Sequence, residues 1–206
     1  MNQVFFKRIP QLLSIVCHPL LMPTIGIYIV LNSGTQFSLL TDDAKHYLLI
    51  VTALFTFGIP MAFLPIFYYQ KLTSSIEMSE KRERIAPLLT TSILYYLLFY
   101  LMHHMGVPVF IQAFQLASAI AVFVTLLITY KWKISAHLVG IGGIIGLIMV
   151  LSIFYHVNML FFLIIALLFA GFVAFARLSL NAHTPGQVYL GLAIGLLIMI
   201  GTLLIF

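Results

Sequence analysis

Two stretches of the chain set a histidine beside groups that bind or transfer anions. In Arg177-Leu178-Ser179-Leu180-Asn181-Ala182-His183-Thr184-Pro185-Gly186-Gln187, an arginine precedes the histidine and an amide follows it. In Lys133-Ile134-Ser135-Ala136-His137, a hydroxyl stands two positions before a second histidine. Guanidinium is a planar fork that pairs with phosphate or carboxylate oxygens, and imidazole can act as nucleophile or proton donor near neutral pH. The local backbone is readable too. Thr184 as N-cap, Pro185 at the first helical position and Gln187 three residues after the cap form a capping box that opens the last helix. The preceding turn then brings Arg177, at the end of one helix, close to His183. His137 falls near the start of another apolar run, where free backbone N–H groups and the helix dipole attract anions.

Structural roles compete for the same residues. A third polar stretch, Glu77-Met78-Ser79-Glu80-Lys81-Arg82-Glu83-Arg84-Ile85-Ala86-Pro87, pairs Glu77 with Lys81 and Glu80 with Arg84 at i,i+4. An exposed helical extension laced by ion pairs would account for it. Ser135 can cap a helix, and Gly140, Gly142, Gly143 and Gly146 suit close helix packing. An arginine at a membrane boundary often only snorkels.

The elements that position these residues are apolar. Of 206 residues, 63% are hydrophobic and 7% charged, with mean hydropathy +1.15, whereas soluble domains carry roughly a quarter charged residues. A water-soluble globule is excluded. The runs are too long and continuous for barrel strands, which alternate over about ten residues. Helices are the remaining way to satisfy the backbone in lipid. At roughly 20 residues per crossing, the sequence predicts an all-α polytopic bundle of about seven (six to seven) transmembrane helices, forming one domain over 1–206. The expected spans are 11–31, 47–69, 88–105, 108–130, 137–155, 159–177 and 187–206. The weakest break is His103 to Pro108, where a re-entrant hairpin is the alternative. Lys7 and Arg8 precede the first run as in a signal peptide. That run passes His18, Pro19 and Pro23 to Leu31 without a small-residue cleavage site, so a retained span is expected. Cys17 is the only cysteine, which leaves no intramolecular disulfide and no CxxC site.

Counting crossings sets the N-terminal segment, 70–87, 131–136 and 178–186 on one face. That face holds Lys7, Arg8, Lys71, Lys81, Arg82, Arg84, Lys131, Lys133 and Arg177, against Lys45 alone on the other. The positive-inside rule makes the first face cytoplasmic. The net charge of +5 is thus spread over short loops as topology determinants are, and nucleic acid is not expected as a partner. All five acidic residues fall in loops, which argues against a proton-coupled carrier.

Together, the three polar stretches resemble the phosphatidic acid phosphatase type 2 superfamily. Its members carry a lysine–arginine-proline motif, a Pro-Ser-Gly-His motif and a Ser-Arg-x5-His-x3-Asp motif. Ser135-Ala136-His137 stands where Ser-Gly-His would be. Ala176-Arg177-x5-His183-x3-Gln187 follows the third motif, with Gly191 and Gly195 beyond it. The resemblance covers roughly 77–200. It departs at Gln187, where the family has aspartate, at Ala176 in place of serine, and at Glu77 in place of lysine. Two expected spans also separate the first and second motifs.

The resemblance implies a membrane phosphatase that hydrolyses a lipid phosphate or isoprenoid pyrophosphate without metal or other cofactor. His183 would attack phosphorus to form a phosphohistidine, His137 would protonate the leaving oxygen, and Gln187 would occupy the position that orients His183. Arg177 and Arg84 would hold the phosphoryl oxygens, with Ser135 as an added donor and Lys81 or Arg82 replacing the family lysine. Membrane lipids are the expected partners and a bacterial inner membrane the expected location. Because an amide cannot supply the charge of an aspartate, a second expectation stands beside the first. It is a catalytically impaired relative that binds an anionic lipid headgroup or serves as a subunit of a membrane complex.

Overall fold

The computed structural model describes residues 17–74, 78 and 80–206, together with 10, 13 and 14. Among the described residues its main helices are α1 (Met22–Leu31), α2 (Asp42–Tyr69), α3 (Ile85–His104), α4 (Val109–Thr129), α5 (Ala136–Phe154), α6 (Leu160–Ser179) and α7 (Pro185–Ile205). A 3-10 turn at Pro19–Leu21 leads into α1, and another at Arg82–Arg84 leads into α3. No strand occurs among the described residues. The architecture is an all-α bundle, and α2 to α7 are each long and apolar enough to cross a membrane, as an integral membrane protein requires.

Observed helices and expected spans agree closely except at two places. Among the described residues of the first expected span, the continuous helix is Pro19–Leu31, shorter than a crossing; residues 11–12 and 15–16 of that span lie outside the described residues. The second helix begins at Asp42 rather than 47. Thr41 caps it by accepting the Ala44 N–H at 3.4 Å, and Asp42 and Asp43 occupy its first turn, where carboxylates complement the helix dipole. The break after His104 is a turn in which Gly106 takes a φ of +67°, a value that glycine adopts without strain. On either side stand helices of 20 and 21 residues, each about 30 Å long at 1.5 Å per residue. Both have full crossing length, as two separate spans require.

Inside α2, the turn Leu54–Gly58 is a π-helix. Its cause is Pro60, which has no N–H to return to the Thr56 carbonyl four residues earlier. The Tyr95 hydroxyl from α3 donates to that carbonyl instead, at 3.4 Å. A polar group freed inside an apolar helix is thereby satisfied across the bundle.

The tightest packing joins α5 to α7 along glycines. A Cβ on Gly195 would run into the Val139 carbonyl, and one on Gly142 into the Leu192 carbonyl. A Cβ on Gly191 would lie 2.8 Å from the Ser135 carbonyl oxygen. The seam therefore presses the start of α5, with Ser135 and His137, against the start of α7, with Gln187.

Candidate functional site

The site is assembled from helix ends. After α6, Asn181 takes a left-handed φ of 52°. Its N–H donates to the Leu178 carbonyl at 2.9 Å, and the Ala182 N–H donates to the Arg177 carbonyl at 3.1 Å. Asparagine tolerates this conformation at a helix C-terminus, so the chain reverses at once and His183 follows within one turn. Thr184 then caps α7 in the expected capping box, with Gln187 Oε1 accepting the Thr184 N–H at 3.1 Å.

The same Gln187 oxygen lies 3.1 Å from His183 Nδ1, and the Lys133 carbonyl oxygen also lies 3.1 Å from it. Two acceptors at one ring nitrogen place the proton on Nδ1 and leave the lone pair on Nε2. Nε2 is buried and has no hydrogen-bond partner among the described residues, on a residue only 7% exposed. Ser135 sits beside this junction, its N–H donating to the Gln187 carbonyl at 3.3 Å. It occupies the N-cap position of α5, yet its hydroxyl makes no capping bond. The Ser135 Oγ is instead buried without a partner among the described residues. Buried polar atoms are nearly always hydrogen-bonded, so two such atoms at one junction call for an explanation.

Arg177 and His137 meet at a residue far away in sequence. Ser14 accepts from Arg177 Nη1 on its hydroxyl at 3.2 Å, and from His137 Nε2 on its carbonyl at 3.1 Å. The His18 ring stands edge-on to His137, with ring centroids 5.9 Å apart. Arg84 also turns inward. Its Nε donates to the Met78 carbonyl at 3.0 Å instead of pairing with Glu80. The expected helical extension does not form through Glu80 and Lys81, because the backbone is a 3-10 turn only from Arg82; Glu77 lies outside the described residues. Glu83 is taken up by the Ser74 and Glu80 N–H groups at 3.0 and 3.4 Å. Lys81 and Arg82 are exposed, and Lys81 Nζ reaches the Lys131 carbonyl at 3.4 Å. The structure thus brings Arg84, Ser135, His137, Arg177, His183 and Gln187 to one end of the bundle and leaves Lys81 and Arg82 outside the cavity there.

That cavity has a volume of about 1290 Å³. Its polar end is lined by His18, Arg84, Lys133, His137, Arg177 and Asn181, and its deeper walls by apolar side chains such as Leu64, Phe67, Phe114, Val122 and Met199. His183 and Ser135 stand behind the wall, flanked in sequence by the lining residues Ala182, Ile134 and Ala136. Burial, then the positive fields of Arg84 and Arg177, push the His183 imidazole down to about 4, against the raising effect of its bonds to Lys133 and Gln187. Lys133 is lowered by partial burial and by the same two arginines. Positive charge therefore converges at this end of the cavity, where a polyanion would relieve it.

Lys133, His18 and Ser14 were not singled out as site residues by sequence. Lys133 shares a stretch with Ser135, a signal that could have found it. Ser14 and His18 lie in the first apolar run with no spacing that ties them to α5 or α6. Among the described residues, no group of three or more His, Cys, Asp or Glu side chains could hold a metal ion. No family model, curated protein or solved structure matches the chain.

Proposed function

We propose that this chain is a membrane phosphatase of the phosphatidic acid phosphatase type 2 kind, acting on a lipid phosphate or isoprenoid pyrophosphate. The observation that carries this reading is His183, whose Nδ1 proton is held by two carbonyl oxygens while Nε2 keeps a lone pair with no partner among the described residues. The anionic head sits among Arg84, Lys133 and Arg177, and the tail occupies the apolar part of the cavity, entering laterally from the bilayer. His183 Nε2 attacks phosphorus, the bond from phosphorus to the leaving oxygen breaks, and His137 supplies the proton to that oxygen. Water then attacks the phosphohistidine, giving its proton back to His137 and releasing phosphate and free His183. Fixed cations stabilise the charge spread over the transferring group. Attack requires ligand entry to open the wall in front of Nε2. The cationic end faces the cytoplasm of a bacterial inner membrane, following the distribution of lysine and arginine.

A second reading, binding of the same anionic lipid without turnover, is favoured by one feature. Gln187 gives His183 a hydrogen bond but no charge for the imidazolium that leaving-group exchange creates. Phosphate release by purified protein from dodecyl phosphate and from an isoprenyl pyrophosphate, compared with His183→Ala, separates the two. Catalysis predicts release that falls at least a hundredfold in the variant. Equal rates would remove catalysis, and binding that depends on Arg177 without any release would establish the second reading.

A further inference from the structure

We infer that His18 is a third histidine of the anion site, a binding residue that donates its Nε2–H to the bound phosphate. The inference rests on the reading of the cavity as a phosphate site, and it concerns a residue outside the three motif stretches. His18 lines the polar end of the cavity together with Arg84, Lys133, His137 and Arg177. Its Nδ1 accepts the Leu20 N–H at 3.3 Å, where it caps the 3-10 turn that opens the first helix. With Nδ1 used as acceptor, the neutral ring carries its proton on Nε2.

The ring is held from three directions. Besides the Leu20 bond, it stands edge-on to Phe57 of α2 at 6.4 Å and edge-on to His137 of α5 at 5.9 Å. Its orientation is therefore fixed before any ligand arrives, which lowers the entropy lost on binding. The same segment supplies Ser14, which holds Arg177 and His137. The segment that orients two of the anion-site residues thus brings a donor of its own.

The role of each ring nitrogen can be tested separately. Asparagine at position 18 places an acceptor where Nδ1 caps the turn, and asparagine is a favoured capping residue; it has nothing at the position of Nε2. Glutamine places an N–H near the position of Nε2. Full-length protein in detergent micelles is titrated with dodecyl phosphate, inorganic phosphate and dodecanol, for wild type, His18→Asn, His18→Gln and Arg177→Ala. A charge-assisted hydrogen bond predicts that His18→Asn weakens dodecyl phosphate binding about tenfold, or ~1.4 kcal/mol. His18→Gln recovers most of that loss, and dodecanol binding is unchanged in both.

Inorganic phosphate tells a lipid headgroup from a free anion. Comparable His18-dependent binding of inorganic phosphate would mean that the head alone is recognised, whereas dependence seen only with dodecyl phosphate would require the tail. Either result supports His18 as the donor. Wild-type affinity for dodecyl phosphate in a folded His18→Asn, beside a loss in Arg177→Ala, would overturn the role of His18 and leave the phosphate site standing. Absence of dodecyl phosphate and inorganic phosphate binding in the wild type would overturn both. A thermal unfolding midpoint equal to wild type shows that His18→Asn is folded; if it is lowered, failure of folded His18→Gln to bind better than His18→Asn overturns the inference.

Discussion

At the scale of single residues, Gln187 has two tasks that share one atom. Its one oxygen closes the capping box of α7 and also fixes the His183 ring, so position 187 is tied both to folding and to the state of His183. Glutamate is isosteric with glutamine and can keep both hydrogen bonds while adding the missing charge. In a serine-protease triad, loss of the corresponding carboxylate lowers turnover by about 10⁴, so Gln187→Glu is expected to raise phosphate release at least tenfold. The same substitution carries a signature in acid stability. His183 has its pKa lowered to about 4 from 6.5, so the folded state binds fewer protons than the unfolded chain in that window. Its contribution to stability is complete above the unfolded value and is lost as pH falls towards 4. A carboxylate at 187 raises the folded value and narrows the window, so thermal midpoints of Gln187→Glu should fall less than wild type between pH 6.5 and 4. Identical pH profiles would show that residue 187 does not govern His183. The helix start made the Thr184–Gln187 capping box legible from sequence, and the pairing of His183 with Gln187 was expected only from the resemblance. The Lys133 carbonyl was not legible, since a backbone group leaves no mark in residue type.

At the scale of elements, hydropathy located the helices and left their packing open. Charge and capping extend α2 back to Asp42, beyond the apolar run that marks it. The π turn required knowing that Tyr95 on another helix would meet the carbonyl freed by Pro60. The glycines were legible as a close-packing surface, and their partner became definite only when α7 met α5. That contact has a sharp consequence. In Gly195→Ala the new methyl meets the Val139 backbone, which has no rotamer to turn away, whereas around Gly201 there is nothing within 4 Å. Overpacking of this kind costs ~1–3 kcal/mol. Thermal unfolding in detergent should therefore show Gly195→Ala well below wild type and Gly201→Ala at or slightly above it, given alanine's better helix propensity. Because the seam carries Ser135 and Gln187, ligand binding should weaken together with stability in Gly195→Ala. An unchanged midpoint there would mean that the two helices can separate without loss.

At the scale of the whole molecule, one end of the bundle holds the converging cations and histidines, and that end is built from segments widely separated in sequence. Ser14 and Arg177 are 163 residues apart and 3.2 Å apart in space. No periodicity announces such a contact, because it depends on how the segment carrying Ser14 meets the ends of α5 and α6. What the sequence does announce is which segments are expected to share a face, since long apolar helices joined by short connections are expected to cross in alternating directions. The orientation proposed for that face rests on the lysine and arginine count and can be tested with a native thiol out of the way, because Cys17 is buried. Glu80 lies exposed near the cationic end, and Gln36 is exposed on the segment before α2, on the opposite expected face. A membrane-impermeant maleimide applied to intact cells should label Gln36→Cys, and should label Glu80→Cys only after permeabilisation. Labelling in the reverse order would invert the orientation and place the proposed phosphate site outside the cytoplasm, with the crossings intact. Labelling of both on intact cells would break the alternation itself, so the crossing count, and with it the argument that the motif segments share one face, would have to be abandoned.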